Sequence, residues 1–317
     1  MRSAFSVLFA AVLAAAVFAA CSAPVAEPAG PPAPPVEEDE GPWRVVEASD
    51  GLFGRLEVLE HRGSLALAAD GVFQTVFPAS PIGIPKGMLL RGGDHAELVP
   101  YFRPSARTAL LIGLGGGLEA RCFALHGIEV TAVEIDPEVV RLARKHFAVS
   151  CETVVADGRA FLDGDPRRFD AIVLDAFAGA DLPEKLFTRE AFEAAERRLE
   201  PDGVLAVHLI GRPGHPALRA VARTLAAVFP HAAATRAGIA GELQAIWLFS
   251  SAAPLDLGPA ARLELDRLGF EGREFFAVDA GASPVLTDAR SGLADLARDI
   301  AEEHRRLSIQ IRRNPPW

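Results

Sequence analysis

Cysteine is scarce in this chain of 317 residues. Cys21, Cys122 and Cys151 are too few for a disulfide-stapled scaffold. No His/Cys cluster shows metal-ligand spacing, so no metal is expected. Basic blocks are missing as well. Thirty-two Lys and Arg stand against 42 Asp and Glu, a formal net charge of −10. Nucleic-acid binding, which needs clustered cations, is therefore excluded. The Arg305-Arg306 and Arg312-Arg313 pairs read as a solvated helix face and a tail. Long apolar runs are absent too. The longest, Ala4 to Ala20, has 17 residues, short of the roughly 20 that a spanning helix needs. No internal repeat is present.

That apolar run has another reading. Residues 1–21, "MRSAFSVLFAAVLAAAVFAAC", place Arg2 ahead of the run and small residues after it, the layout of a secretory signal. Phe18-Ala19-Ala20-Cys21 resembles the bacterial lipoprotein cleavage box, with Phe18 where that box usually has Leu. The resemblance implies an exported protein, lipidated at Cys21. Ser22 favours the outer membrane, facing the periplasm. Simple secretion and an uncleaved anchor are the alternatives. Residues 22–42 carry seven prolines and an acidic cluster, which cannot form a core and read as an extended tether. The membrane is thus met only through the N-terminal lipid or signal anchor.

The folded part begins at Trp43. Residues 43–80 hold "RLEVLE", "SLALA" and "VFQTVF", separated by the turns His61-Arg62-Gly63 and Ala69-Asp70-Gly71, which predict a small antiparallel β-hairpin domain. Residues 81–106 connect. From 107 to 290 the rhythm changes to "TALLI", "EVTAVE", "CETVVA", "DAIVLD", "GVLAVHL" and "LQAIWLFSS", with amphipathic stretches between the first five. This pattern predicts an α/β fold, a doubly wound, mostly parallel sheet. Residues 291–317 read as a C-terminal helix and tail. Cys122 falls on the first helix near the carboxyl edge of the sheet, and Cys151 at the opposite end of a strand. A strand of five residues spans about 15 Å, whereas a disulfide tolerates at most about 7 Å between Cα atoms. Two buried thiols are expected.

Ligands in such sheets bind at the carboxyl ends of the strands. There the first strand breaks into Gly113-Leu114-Gly115-Gly116-Gly117. A dinucleotide fingerprint fails because Leu118 stands at its last glycine, and a P-loop fails for want of Lys. Gly113-x-Gly115-x-Gly117 is the spacing of adenosylmethionine-type transferases, where the loop approaches the methionine and ribose. Glu134 ends the second strand, 17 residues beyond Gly117, where a carboxylate can accept from a ribose diol. Asp157 and Gly158 end the third and suit an adenine amino group and ring. Asp175 ends the fourth and suits an amine and its proton. Taken singly, each has a plain structural explanation: a tight turn, a helix cap or a solvated loop. His208 and His95 read as structural, and Trp247 as core.

Together these segments resemble the spermidine synthase (polyamine aminopropyltransferase) family, from about Gly54 to Ser251. "ADGVFQT" is similar to that family's hairpin and puts Gln74 on its active-site glutamine. "LLIGLGGG" falls on its glycine loop, "VEIDPEVVRLARKHF" on its ribose-binding strand and helix, and "ADGRAFL" on its adenine-side Asp-Gly. "FDAIVLDAFAGADLPEKLF" falls on its catalytic segment, with Asp175 at the general base. The resemblance implies a Rossmann-like class I methyltransferase fold and a homodimer. It implies decarboxylated S-adenosylmethionine, or S-adenosylmethionine itself, as co-substrate, with an amine acceptor. Two departures stand out. The second acid of the catalytic segment is Ala178 here, leaving Asp181 as the nearest candidate for binding the acceptor. The acidic run and Tyr-x-Glu before the glycine loop are missing. The competing expectations are an exported, non-catalytic binding protein on the same fold and an S-adenosylmethionine-dependent methyltransferase. The Asp-Gly-Val-x-Gln hairpin argues against the latter.

Overall fold

The structure is a computed structural model and describes residues 43–77, 87, 90, 94–238, 242–270, 272 and 274–313. The signal, the lipidation box and the tether, all expected within 1–42, lie outside the described residues, as does the tail 314–317. Among the described residues, no helix is long and apolar enough to cross a membrane.

Four strands, β1 (Arg44–Gly51), β2 (Gly54–His61), β3 (Ser64–Ala69) and β4 (Val72–Phe77), pair in sequence order as an antiparallel sheet. The β3–β4 turn needs two consecutive residues at positive φ. Asp70 (φ 47°) and Gly71 (φ 76°) supply them, the pairing that matches strand twist in a two-residue hairpin. One face of this sheet, Leu56, Val58, Leu67 and Ala69, joins the main core. The other packs Leu59, Ala66, Ala68 and Val76 under Trp43.

A short helix α1 (Val99–Phe102) leads into strands and helices that alternate up to a final pair of strands. These are β5 (Thr108–Ile112), α2 (Leu118–Leu125), β6 (Glu129–Glu134), α3 (Pro137–His146), β7 (Glu152–Val155) and α4 (Gly158–Gly164). There follow β8 (Phe169–Leu174), α5 (Arg189–Arg198), β9 (Leu199–Gly211), α6 (Pro216–Ala226), β10 (His231–Ala237) and β11 (Gln244–Ser251). Helices α7 (Pro259–Arg267) and α8 (Leu293–Arg313) finish the fold. The strand order is β10-β11-β9-β8-β5-β6-β7. Strands β5 to β9 run parallel, and β11 is antiparallel to both its neighbours. Burial on both faces explains why the central strands read as continuous apolar runs. Leu111, Ala132 and Val173 face one core layer, and Leu110, Ile112, Ile172 and Leu174 face the other. The chain crosses from one side of β5 to the other between β7 and β8, so the switch point lies at the carboxyl end of β5. This is the doubly wound α/β fold expected from the sequence, preceded by its antiparallel sheet.

Some readings need correction. The Arg312 guanidinium is no solvated tail, because it grips the buried Glu57 carboxylate on β2. Arg305 pairs with Asp181. Helix α8 therefore docks, burying Leu293, Ala297, Ile300, Ala301 and Ile311 along one stripe. Both cysteines are free, but only Cys122 is buried. Cys151 is partly exposed.

Candidate functional site

A cavity of about 440 Å³ opens between the antiparallel sheet and the carboxyl ends of the parallel strands. Its floor is the glycine loop. Gly113 holds φ 97°, and a Cβ there would sit 2.1 Å from the carbonyl oxygen of Asp175. No L side chain fits that approach, so the β5 and β8 tips close together only because the residue is glycine. The Gly116 N–H donates to Thr75 Oγ1 at 2.9 Å. Gln74 Nε2, one residue earlier on β4, donates to the Gly179 carbonyl at 3.1 Å. These bonds fasten the antiparallel sheet over the loop as a roof. Gln74, Gly113 and Gly115 all line the cavity, whereas Gly117 does not. Gly117 is the N-cap of α2, at φ 77°, packed against Val149.

The three acids at the strand tips face the same space. Glu134, Asp157 and Asp175 line it together with Gly158. Glu134 accepts the Leu114 N–H on Oε2 and the Asp136 N–H on Oε1, both at 3.0 Å. Those bonds fix the carboxylate and leave one lone pair on each oxygen, the geometry a vicinal diol requires. Burial pushes the Glu134 carboxyl above its ordinary value, partly offset by the Asp136 and Leu114 N–H bonds. Asp157 is the N-cap of α4 and accepts the Ala160 N–H at 2.8 Å through Oδ1. Capping and lining are thus both met by one side chain.

Asp175 carries the richest set of neighbours. His208, on the adjacent strand β9, lies with Nδ1 2.7 Å from Asp175 Oδ1. Its ring stacks flat on Trp247, centroids 4.5 Å apart at 7°, and Phe177 meets it edge-on. Burial pushes the Asp175 carboxyl up, but the facing imidazole outweighs this and holds it below the ordinary range. Burial opposes and Asp175 favours the His208 cation, and the net shift is upward. Glu119, from the first turn of α2, also lines the cavity, close to Asp175 and Asp94. Burial, with Asp94 and Asp175 nearby, raises Glu119 well above the usual carboxylate range. Burial and the Asp175 charge raise Asp94 to about 7. This end of the cavity is lined by Glu119 and Asp175, with Asp94 close behind them and one imidazole backing Asp175.

The sequence reading missed that group. His208 had one visible signal, since it and Asp175 follow the apolar runs of neighbouring strands. Asp94 and Glu119 had none, because the fold alone brings a pre-helical loop against the first turn of α2. Asp181 stands apart. It does not line the cavity, and its exposed carboxylate goes to Arg305. The tight Ala178–Asp181 bridge turns it outward, so its position does not support the acceptor-binding role expected of it. His95 is buried rather than in a polar turn, with Nδ1 2.7 Å from Thr235 Oγ1. Trp247 is core, as expected.

A family model described as "Spermine/spermidine synthase domain" matches residues 95–236. Polyamine aminopropyltransferase 2 of Hyperthermus butylicus is 31% identical over 217 residues, 59% of this chain and 70% of the relative. An N-terminal histidine N-methyltransferase of Emericella nidulans is 34% identical over 143 residues, 43% of this chain and 26% of the relative. The first three curated relatives are spanned over only 26%, 29% and 42% of their lengths. Among solved structures, a probable spermidine synthase from Corynebacterium glutamicum superposes with a TM-score of 0.64 at 20% identity, over 77% of this chain and 97% of that one. At that identity the likeness shows the fold.

Proposed function

The chain belongs to the spermine/spermidine synthase family, and from that premise we propose that it transfers the aminopropyl group of decarboxylated S-adenosylmethionine to an amine. Gly113 and Gly115 would approach the sulfonium and ribose, Glu134 would hold the diol, and Asp157 and Gly158 would flank the adenine. Asp175 would accept a proton from the acceptor amine as nitrogen attacks the propyl carbon beside sulfur. The carbon–sulfur bond breaks, methylthioadenosine leaves, and the proton remains on Asp175. His208 orients that carboxylate through Nδ1.

One observation supports the decarboxylated donor. Asp175 shares its end of the cavity with Glu119, while the cations lining the cavity, Arg159 and Lys185, lie beside the adenine-side residues. Arg159 is bound to Asp163 and Asp288. An aminopropyl ammonium suits that acidic end, and an α-carboxylate does not. A second reading, methyl transfer from S-adenosylmethionine to an amine, is favoured by the Emericella nidulans relative, itself named a methyltransferase.

Mass spectrometry separates them. The purified protein is given either donor with diamines and short peptides bearing free N-terminal amines. Methylthioadenosine formed from the decarboxylated donor alone supports aminopropyl transfer. S-adenosylhomocysteine formed from the intact donor supports methyl transfer. Asp175→Asn should slow either by roughly 10²–10⁴-fold. No product and no methylthioadenosine binding at millimolar ligand would leave the non-catalytic reading standing. Export is part of the same proposal. A membrane-associated product degraded by protease added to spheroplasts supports it, and a product confined to the soluble lysate refutes it.

A further inference from the structure

One helical turn beyond Glu119 on α2, three metal-ligand types converge. Cys122 and His126 stand four residues apart, hence side by side on a helix. This is a spacing the sequence reading passed over when it found no metal-ligand pair. Glu97, on the turn before α1, completes the group. Its carboxylate oxygen, the Cys122 sulfur and a His126 ring nitrogen all lie within 4.8 Å of one another. Among the described residues no other group of three His, Cys, Asp or Glu meets that criterion. Tetrahedral zinc with Zn–S near 2.3 Å and Zn–N near 2.0 Å places its ligand atoms about 3.5 Å apart.

We propose that Glu97, Cys122 and His126 form a site for a thiophilic divalent cation of the zinc class. The surroundings fit. Glu97 is 1% and Cys122 2% exposed, so the site is dry. Glu97 is already oriented, accepting N–H groups of Gly87 (Oε1, 2.5 Å) and Leu90 (Oε2, 3.3 Å), as carboxylate ligands in metal sites are held by outer hydrogen bonds. His126 Nε2 points at Glu97 Oε1 at 3.2 Å, toward the point where a cation would sit. The Tyr101 ring meets His126 edge-on at 5.6 Å, and the Tyr101 hydroxyl is buried without a hydrogen-bond partner. Burial raises that hydroxyl, and the Glu264 and Glu97 carboxylates raise it further. It is a polar atom beside the site that a metal-bound water would satisfy. Without metal, burial keeps the Cys122 thiol protonated. On binding, the thiol proton is released to solvent, and His126 offers Nε2 in the tautomer protonated at Nδ1. The cation would brace α2 against the segment holding Gly87 and Leu90.

The test uses the purified chain, stripped with chelator and titrated with zinc chloride against a chromophoric competitor. One equivalent bound with submicromolar affinity is expected, accompanied by a rise in Tm. Cys122→Ser and His126→Gln should each weaken binding by more than the roughly 100-fold that losing an outer-shell partner costs. Cobalt(II) addition to the unaltered chain keeps the proposal falsifiable if a variant misfolds. A thiolate-to-cobalt charge-transfer band supports the site, and its absence overturns it. Failure to bind at ten-micromolar free zinc, or binding unchanged in both variants, also overturns it. None of these readouts depends on transfer activity, so they stand or fall apart from the proposed function.

Discussion

Replacing Glu134 with Ala tests the ligand assignment most directly. In the folded chain both oxygens already accept one backbone N–H each, so the diol would take the two remaining acceptor positions. At about 1–2 kcal/mol for each bond to a charged acceptor, the nucleoside should lose roughly 2–4 kcal/mol. That is a rise in Kd of about 30- to 900-fold. The substitution also strips Leu114 and Asp136 of their acceptor, so a lower affinity alone does not distinguish diol recognition from a loosened loop. Comparing two ligands does. Titration calorimetry with methylthioadenosine and its 2′,3′-dideoxy analogue, on the native chain and on Glu134→Ala, closes a thermodynamic cycle. The native chain should prefer the ribo form by the same factor, and the variant should bind both within about threefold, under 1 kcal/mol. Because burial raises this carboxyl, native affinity should also decline on acidification at a higher pH than an exposed glutamate would give. A native chain that binds both ligands equally would refute the reasoning, whatever the variant does.

Two further outcomes follow from the same geometry. In His208→Gln the imidazole that holds Asp175 below its ordinary range is gone. The stabilisation from ionised Asp175, present above its unfolded pKa of about 4 and lost as pH falls through the depressed folded value, would then be lost at a higher pH. The acid limb of the pH–rate profile should move up with it, and an unmoved limb would show that His208 does not tune the base. Gly113→Ala places a methyl group 2.1 Å from the Asp175 carbonyl at φ 97°. Strain and clash together should destabilise by at least about 3 kcal/mol, read as a fall in the urea midpoint. A midpoint within error of the native value would mean that the β5 and β8 tips are less closely apposed than described.

The alternating fold was legible because buried parallel strands have no polar face to interrupt them. "TALLI" and "DAIVLD" announce themselves, and Asp136 and Thr188 cap their helices where the sequence places such residues. Strand β10 was not legible. "HAAATRA" has no long apolar run, and its mostly part-exposed residues gain strand form by pairing with β11 on one side and bridging Phe275 on the other. The strand-tip acids could be read because one local rule, the carboxyl end of a parallel strand, locates each of them. Glu119 and Asp94 obey no such rule, since their meeting depends on how the loop before α1 folds over α2. Asp181 lies outside the cavity for a related reason. Distance along the chain from Ala178 suggested proximity, but a bridge of two residues reversed its direction.

The roof of the cavity is held by a bond of extreme reach. Glu57 and Arg312 are 255 positions apart, so a chain growing from its amino end assembles the entire parallel sheet before α8 is available to grip β2. Loop closure over such a span is entropically slow. The ligand compartment is therefore among the last parts of the molecule to mature, and refolding monitored by Trp fluorescence should run ahead of the recovery of ligand binding.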